Sequence, residues 1–142
     1  MIECINVEFS IEEVRDALEL SPDQMVMEIR RVIKKRGIPV AIDIKYIPYK
    51  KGTPIIELEL QYAVFPELVS KEAPFAVQTR MEIGAELPDE EIALELDCPC
   101  DRPLLVVYRW LTDRNGRLIG YGIKYMLKEY GRLSAMSGYE PE

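Results

Sequence analysis

The sequence predicts an α+β fold: one antiparallel β-sheet with flanking helices, built from a βαββ unit that occurs twice. The first observation is a pair of words, AIDIKYIPYKKG (Ala41–Gly52) and GYGIKYMLKEYG (Gly120–Gly131), which share IKY followed six residues later by Gly. The second is that their surroundings agree. Glu12, Glu13, Leu18, Asp23, Arg31 and Arg36 recur 78 residues later as Glu90, Glu91, Leu96, Asp101, Arg109 and Arg114. After one inserted residue, Asn115, the offset becomes 79, and Gly37, Ile44, Lys45, Tyr46 and Gly52 recur as Gly116, Ile123, Lys124, Tyr125 and Gly131. The third is that successive strand patterns are separated by hairpin turns rather than by helical crossovers, which implies antiparallel pairing. Two copies are too few for a solenoid, which needs about three. The expectation is one domain over residues 1–142, with internal repeats at about 2–52 and 80–131. A rival register pairs the two ALEL tetrapeptides, Ala17–Leu20 and Ala93–Leu96, but it needs further gaps and separates Arg31 from Arg109.

The elements follow in order. Ile2, Ile5, Val7 and Phe9 mark a first strand. Ser10-Ile11-Glu12-Glu13 has the form of a capping box, in which the Ser hydroxyl accepts the N3 amide and Glu13 reaches back. Val14, Ala17 and Leu18 then stand at i, i+3 and i+4, one apolar helix face. Pro22 disfavours helix in the residue before it, so Ser21-Pro22-Asp23 is expected to end the helix. From Met25 to Ile33 the pattern alternates, with Met25, Met27, Ile29 and Ile33 on one face and Glu28 and Arg30 on the other. Arg31 falls on the apolar face. A turn at Lys34–Gly37 leads to a partner strand carrying Val40, Ile42, Ile44 and Tyr46.

A connecting strand is read over Ile55–Val64, closed by Phe65-Pro66-Glu67-Leu68. The second copy opens with a strand over Ala76–Ile83, placing Val77, Thr79, Met81 and Ile83 on one face. Its hairpin strands are Leu104–Leu111 and Leu118–Leu127, joined by Asp113-Arg114-Asn115-Gly116, and Asn-Gly is a strong hairpin signal. The tail from Ser134 to Glu142 carries no packing pattern.

Composition narrows the function. With 142 residues, 48% apolar and 30% charged, the chain can bury a core. A net charge of −7 and a pI near 4.8 argue against a nucleic-acid surface. The one basic run, Lys34-Lys35-Arg36, reads as a solvated hairpin tip. No stretch approaches the roughly 18 apolar residues of a membrane span, and the N-terminus is no signal peptide, so a cytoplasmic location is expected. Cys98-Pro99-Cys100 and the remote Cys4 have neither disulfide nor metal spacing, and there are 0 His residues to complete a metal site or serve as general base. No cofactor and no metal are expected.

The order of these elements and the words within them resemble the UTRA domain, the effector-sensing half of GntR/HutC-type transcriptional regulators, which shares the chorismate lyase fold. The resemblance rests on "EEVRDALELSPDQMVMEIRRVIKKRGIPVAIDIKYIP" with its Gly37-Ile38-Pro39 turn and Tyr46-Ile47-Pro48 close, on "YAVFPELV", and on "EIGAELPDEEIALELDCPCDRPLLVVYRWLTDRNGRLIGYGIKY". It covers about Glu8 to Leu133. It implies a small-molecule effector-sensing domain, free-standing or cut from a regulator, without the winged-helix DNA-binding domain. It implies an anionic or sugar-like effector, a homodimer, and no nucleic-acid binding by this chain.

The resemblance also nominates site residues. Arg31 matches the family's first effector-contacting Arg, and a guanidinium on an apolar strand face offers a rigid fork of donors to a carboxylate or phosphate. Arg109 is its repeat partner. Gln78, Thr79 and Arg80 lie on the strand whose family counterpart supplies polar contacts, and Tyr125, like Tyr121, offers a hydroxyl. Three positions depart from the pattern: Ile33 stands where the family has a second Arg, Gly120 where it has Glu, and Leu127 where it has Arg. Only Val69–Phe75 is available for a helical segment that the family places before the second copy. The competing reading is a chorismate lyase-type enzyme, converting chorismate to 4-hydroxybenzoate and pyruvate with Arg clamps in a closed pocket. A third is a dimerisation domain with a vestigial cleft.

Overall fold

The computed structural model describes residues 4–9, 12–49, 78–113 and 115–130. The expected capping residue Ser10, the strand at Ile55–Val64, the segment Val69–Phe75 and the tail lie outside these residues. Among the described residues six strands form one antiparallel sheet: β1 (Cys4–Phe9), β2 (Met25–Lys35), β3 (Ile38–Tyr49), β4 (Gln78–Glu86), β5 (Leu104–Thr112) and β6 (Leu118–Met126), in the order β1-β2-β3-β6-β5-β4. Helix α1 (Glu12–Leu18) follows β1, and α2 (Glu90–Leu96) follows β4. The fold is α+β.

The strand pairing repeats with the sequence. Arg31 opposes Asp43 in the first hairpin, and their counterparts Arg109 and Gly122 oppose each other in the second. Each hairpin also breaks register at the same place, between Ile33 and Lys34 and between Leu111 and Thr112. The helices end alike: Glu19 (φ 55) and Asp97 (φ 50) are left-handed, and Leu20 N–H donates to the Arg15 carbonyl as Cys98 N–H donates to that of Ala93. α1 therefore stops at a left-handed residue rather than at Pro22, because the terminal carbonyls find their donors there. At the start of α2, Asp89 accepts from Ile92 N at 2.8 Å.

The tips differ. Arg36 and Gly37 both adopt positive φ, giving a two-residue turn, whereas in the second hairpin Gly116 has φ 76 and Asp113 Oδ1 accepts from the backbone of Asn115 and Arg117. β3 and β6 form the middle of the sheet, pairing Ala41–Tyr46 with Met126–Tyr121. Pro39 and Pro48 both lie beyond that paired stretch, where the missing N–H breaks no bond between the two strands.

The two helices of the described residues pack on one face. α1 lies against β6 and α2 against β3, so each half's helix covers the other half's central strand. Val14, Leu18, Ile92 and Leu96 close over Val32, Ile42, Ile44, Val106, Tyr121 and Ile123. Glu28 and Arg30 therefore face the helix layer, and Arg30 reaches Glu95 of α2 at 2.5 Å. The opposite face is buried too: Met27, Ile29, Ala41, Val107, Leu111 and Met126 all lie in the core. Burying both faces of the central strands is the main departure from the alternating pattern expected for β2 and β3.

Candidate functional site

The face away from the helices holds the candidate site. β2 supplies Arg31, β3 supplies Asp43 and Lys45, and β5 supplies Arg109. Asp43 is the hub. It is buried at 2% exposure and accepts a hydrogen bond at Oδ2 from Arg31 NH2 at 2.6 Å. Lys45 Nζ lies 3.2 Å from the same oxygen, and Arg109 NH2 lies 3.7 Å from Oδ1. Lys124, in register opposite Asp43, places its ammonium over the Tyr130 ring instead, 5.3 Å from the centroid.

Strand register explains this convergence. Asp43 faces Arg31 directly across the β2–β3 ladder. Arg109 faces Gly122, which has no side chain, so its guanidinium extends past β6 to the carboxylate on β3. Lys45, one step along β3 on the same face, is fixed between Ile29 and Gly122.

The electrostatics follow from burial. Desolvation works against the charged carboxylate of Asp43, yet Lys45, the bond from Arg31 and the charge of Arg109 outweigh it and hold the carboxyl below the usual range. The same burial draws the Lys45 ammonium below the ordinary lysine value, with Asp43 opposing. Arg31 is the outermost member, at 28% side-chain exposure. One of its N–H groups is directed to Asp43, and a guanidinium has five. Such a group can receive a planar oxyanion from outside while a buried carboxylate fixes its plane.

The structure brings Arg31 and Arg109 together around one carboxylate and separates the other nominees. Thr79 lies on the same face of the sheet, opposite Leu111. Gln78 heads β4, in register with Thr112. Arg80 and Tyr125 lie on the helix face. The Arg80 guanidinium stacks 4.3 Å from the centre of the Trp110 ring and pairs with Glu82. Tyr125 packs against the helix-side core with Tyr121, and its phenol is pushed up to about 12, mainly by burial and then by Glu13, Asp89 and Glu86. Alternation decides this, because neighbours along a strand point to opposite faces.

Sequence reasoning missed Asp43 and Lys45 as members of the cluster. The repeat held a signal for Asp43, since an acid stands where the second copy has Gly122. Elsewhere, Cys98 and Cys100 are free thiols beside a shallow depression of about 600 Å³ that Leu94 and Asp97 also line. Among the described residues no group of His, Cys, Asp and Glu is arranged to hold a metal ion, and no helix is long and apolar enough to cross a membrane.

The UTRA domain model matches residues 7–130. The chain belongs to the UTRA domain family. It is similar to the ligand-binding domain of a putative GntR-family transcriptional regulator from Bordetella bronchiseptica, with 25% identity, a TM-score of 0.73, and coverage of 96% of this chain and 89% of that one. It is similar in fold to the effector-binding domain of the Bacillus subtilis trehalose repressor, at 17% identity and TM-score 0.82, with 99% and 97% of the two chains covered. It is likewise similar to the C-terminal domain of the Pseudomonas syringae histidine utilization repressor, at 15% identity and TM-score 0.80, covering 98% and 97%. No curated protein sequence matches the chain. As a UTRA domain, this is an effector-sensing domain of a GntR-type transcriptional regulator. UTRA domains of such regulators are generally non-enzymatic, and nothing in these likenesses favours a lyase.

Proposed function

We propose that this UTRA domain senses a small anionic effector, a carboxylate or a phosphorylated sugar, received by Arg31 at the mouth of the Arg31–Asp43–Lys45–Arg109 cluster. One observation carries the reading: Arg31 is partly exposed while its guanidinium is anchored at 2.6 Å to a carboxylate with 2% exposure. An arginine held this way is pre-organised, so less rotamer freedom is lost when an anion binds. Arg109 and Lys45 add positive potential behind it, and Thr79 offers a hydroxyl on the same face. Ile33 and Gly120 stand at positions where the resemblance to the family leads one to expect polar contacts, which favours the less polar members of that effector class.

The domain works by binding rather than by turnover. Asp43, the acid at the cluster, is held ionised and is unsuited to donate a proton near neutral pH. The regulator acts in the cytoplasm as a homodimer, and this chain itself does not hold nucleic acid, consistent with its −7 charge.

The test is a thermal melt of the parent and of Arg31→Met against a panel of carboxylic acids and sugar phosphates. At least one compound is expected to raise the parent's Tm by several degrees and to leave the variant unmoved. A compound that shifts both equally would remove Arg31 from the site.

A further inference from the structure

Five large apolar side chains stand exposed among the described residues, and three of them belong to one segment: Met81 at 48%, Ile83 at 55% and Leu87 at 61% exposure. Met81 and Ile83 sit on β4, the last strand in the sheet order. Among the described residues, β5 is the one strand paired with it. An edge strand presents backbone donors and acceptors to any strand that approaches, and proteins commonly blunt such edges with charge, proline or a bulge. β4 has no Pro, and its pairing with β5 runs from Gln78 to Glu86 without a register break. Its two exposed mid-strand charges, Arg80 and Glu82, are opposite in sign and lie 3.1 Å apart, so neither repels a second copy of the same strand.

We propose that β4 is the homodimer interface, with a second copy of this chain adding its own β4 antiparallel and Met81 lying on the two-fold axis. This rests on the homodimer reading above and gives it a surface and a register. A two-fold axis between identical antiparallel strands pairs residues that share a face, so the axis must pass through a residue position. Centring on Glu82 sets two carboxylates directly opposite, which is destabilising. Centring on Ile83 sets Arg80 against Glu86, whose carboxylate already accepts the Tyr108 hydroxyl. Centring on Met81 sets Arg80 of each copy against Glu82 of the other, extending the existing ion pair into a four-charge network on the helix side. On the other side Met81 meets Met81 and Thr79 meets Ile83, covering the exposed apolar stripe. The two sheets then become one continuous sheet across the axis.

The experiment combines light scattering with cross-linking on the full chain. The parent is expected to show a dimer mass, and Arg80→Glu, which places acid against acid, to weaken the dimer at least tenfold. The swap Arg80→Glu with Glu82→Arg is expected to restore it, because the cross-strand pairs return with reversed sign. Met81→Cys is expected to form a disulfide-linked dimer under mild oxidation beyond the parent's background, and Ile83→Cys to form far less. A monomer mass for the parent across a hundredfold dilution would overturn the homodimer reading and this surface with it. A dimeric parent that Arg80→Glu leaves intact, or that Ile83→Cys cross-links in preference to Met81→Cys, would overturn the β4 assignment alone.

Discussion

Ile44 pairs with Ile123 across the β3–β6 ladder, and each is the other's counterpart in the repeat. The pseudo-two-fold axis of the duplicated unit therefore passes through this pair, beneath the helix layer. Arg31 and Arg109 are related by the same axis, and so are Lys45 and Lys124. Asp43 is the exception, because its counterpart is Gly122. A symmetric frame thus carries one carboxylate between two arginines, and the first half alone gains the pair that fixes the partly exposed Arg31.

Arg31→Met is expected to lower stability by only about 1 kcal/mol, since the lost bond involves a partly exposed group. Asp43 is not stranded by the change, because Lys45 Nζ remains 3.2 Å from the same oxygen. Urea denaturation of the two proteins measures this. A loss of about 3 kcal/mol or more, the range for breaking a buried ion pair, would make Arg31 chiefly a structural residue.

Asp43→Asn should cost far more, about 3–5 kcal/mol, because it leaves buried cations without this carboxylate. The pH dependence gives a second reading. The folded carboxyl titrates below its unfolded value of about 4, so its contribution is fully present above that value. It is lost as the pH falls through the folded value. Stability of the parent should therefore drop more steeply below about pH 4 than that of Asp43→Asn, as followed by denaturation at fixed urea across pH 2–5. Parallel profiles would contradict the cluster's electrostatics.

Tyr125→Phe should leave effector binding unchanged, because the phenol lies on the helix face, away from Arg31. The phenol should also resist ionisation. Its folded value of about 12 lies above the unfolded value near 10, so this tyrosine's contribution is whole below pH 10 and is lost as the pH rises toward 12. The difference between spectrophotometric titrations of the parent and of Tyr125→Phe should show this tyrosinate appearing together with unfolding in that window. Loss of effector binding in Tyr125→Phe would place the site on the wrong face.

Incubation with chorismate should release no pyruvate above the uncatalysed rate. The cluster has positive groups to bind carboxylates, but its own acid is held ionised. Sustained release that Arg31→Met abolishes would reopen the lyase reading.

Much of the fold was legible because the repeat is a comparison internal to one chain. The offset of 78 and then 79 aligned the two arginines and the two IKY words, and the same offsets recur in the strand pairing. Arg31 stood out as a cation among Met27, Ile29 and Ile33, and it does share their face. Arg80 and Tyr125 were grouped with it by resemblance, and strand parity separates them.

The sequence by itself determined the element order, the hairpins and the presence of Arg31 on an apolar face. Only the tertiary structure decided which residues Arg31 meets. The Arg36-Gly37 turn pairs Lys35 with Ile38 and Lys34 with Pro39, and that register, continued, would set Arg31 opposite Ile42. The break between Ile33 and Lys34 skips Val40 and sets Arg31 opposite Asp43 instead. A one-residue shift exchanges every side chain of a strand between its two faces, so this single irregularity gathers Asp43 and Lys45 with Arg31 and leaves Ile42, Ile44 and Tyr46 to the helices. The carbonyl of the skipped Val40 accepts from Leu127 N at 3.0 Å, just beyond β6 in the other half of the repeat. A contact between residues so far apart in the chain forms only once the two halves have docked, and for that reason no local pattern in β2 or β3 announces it.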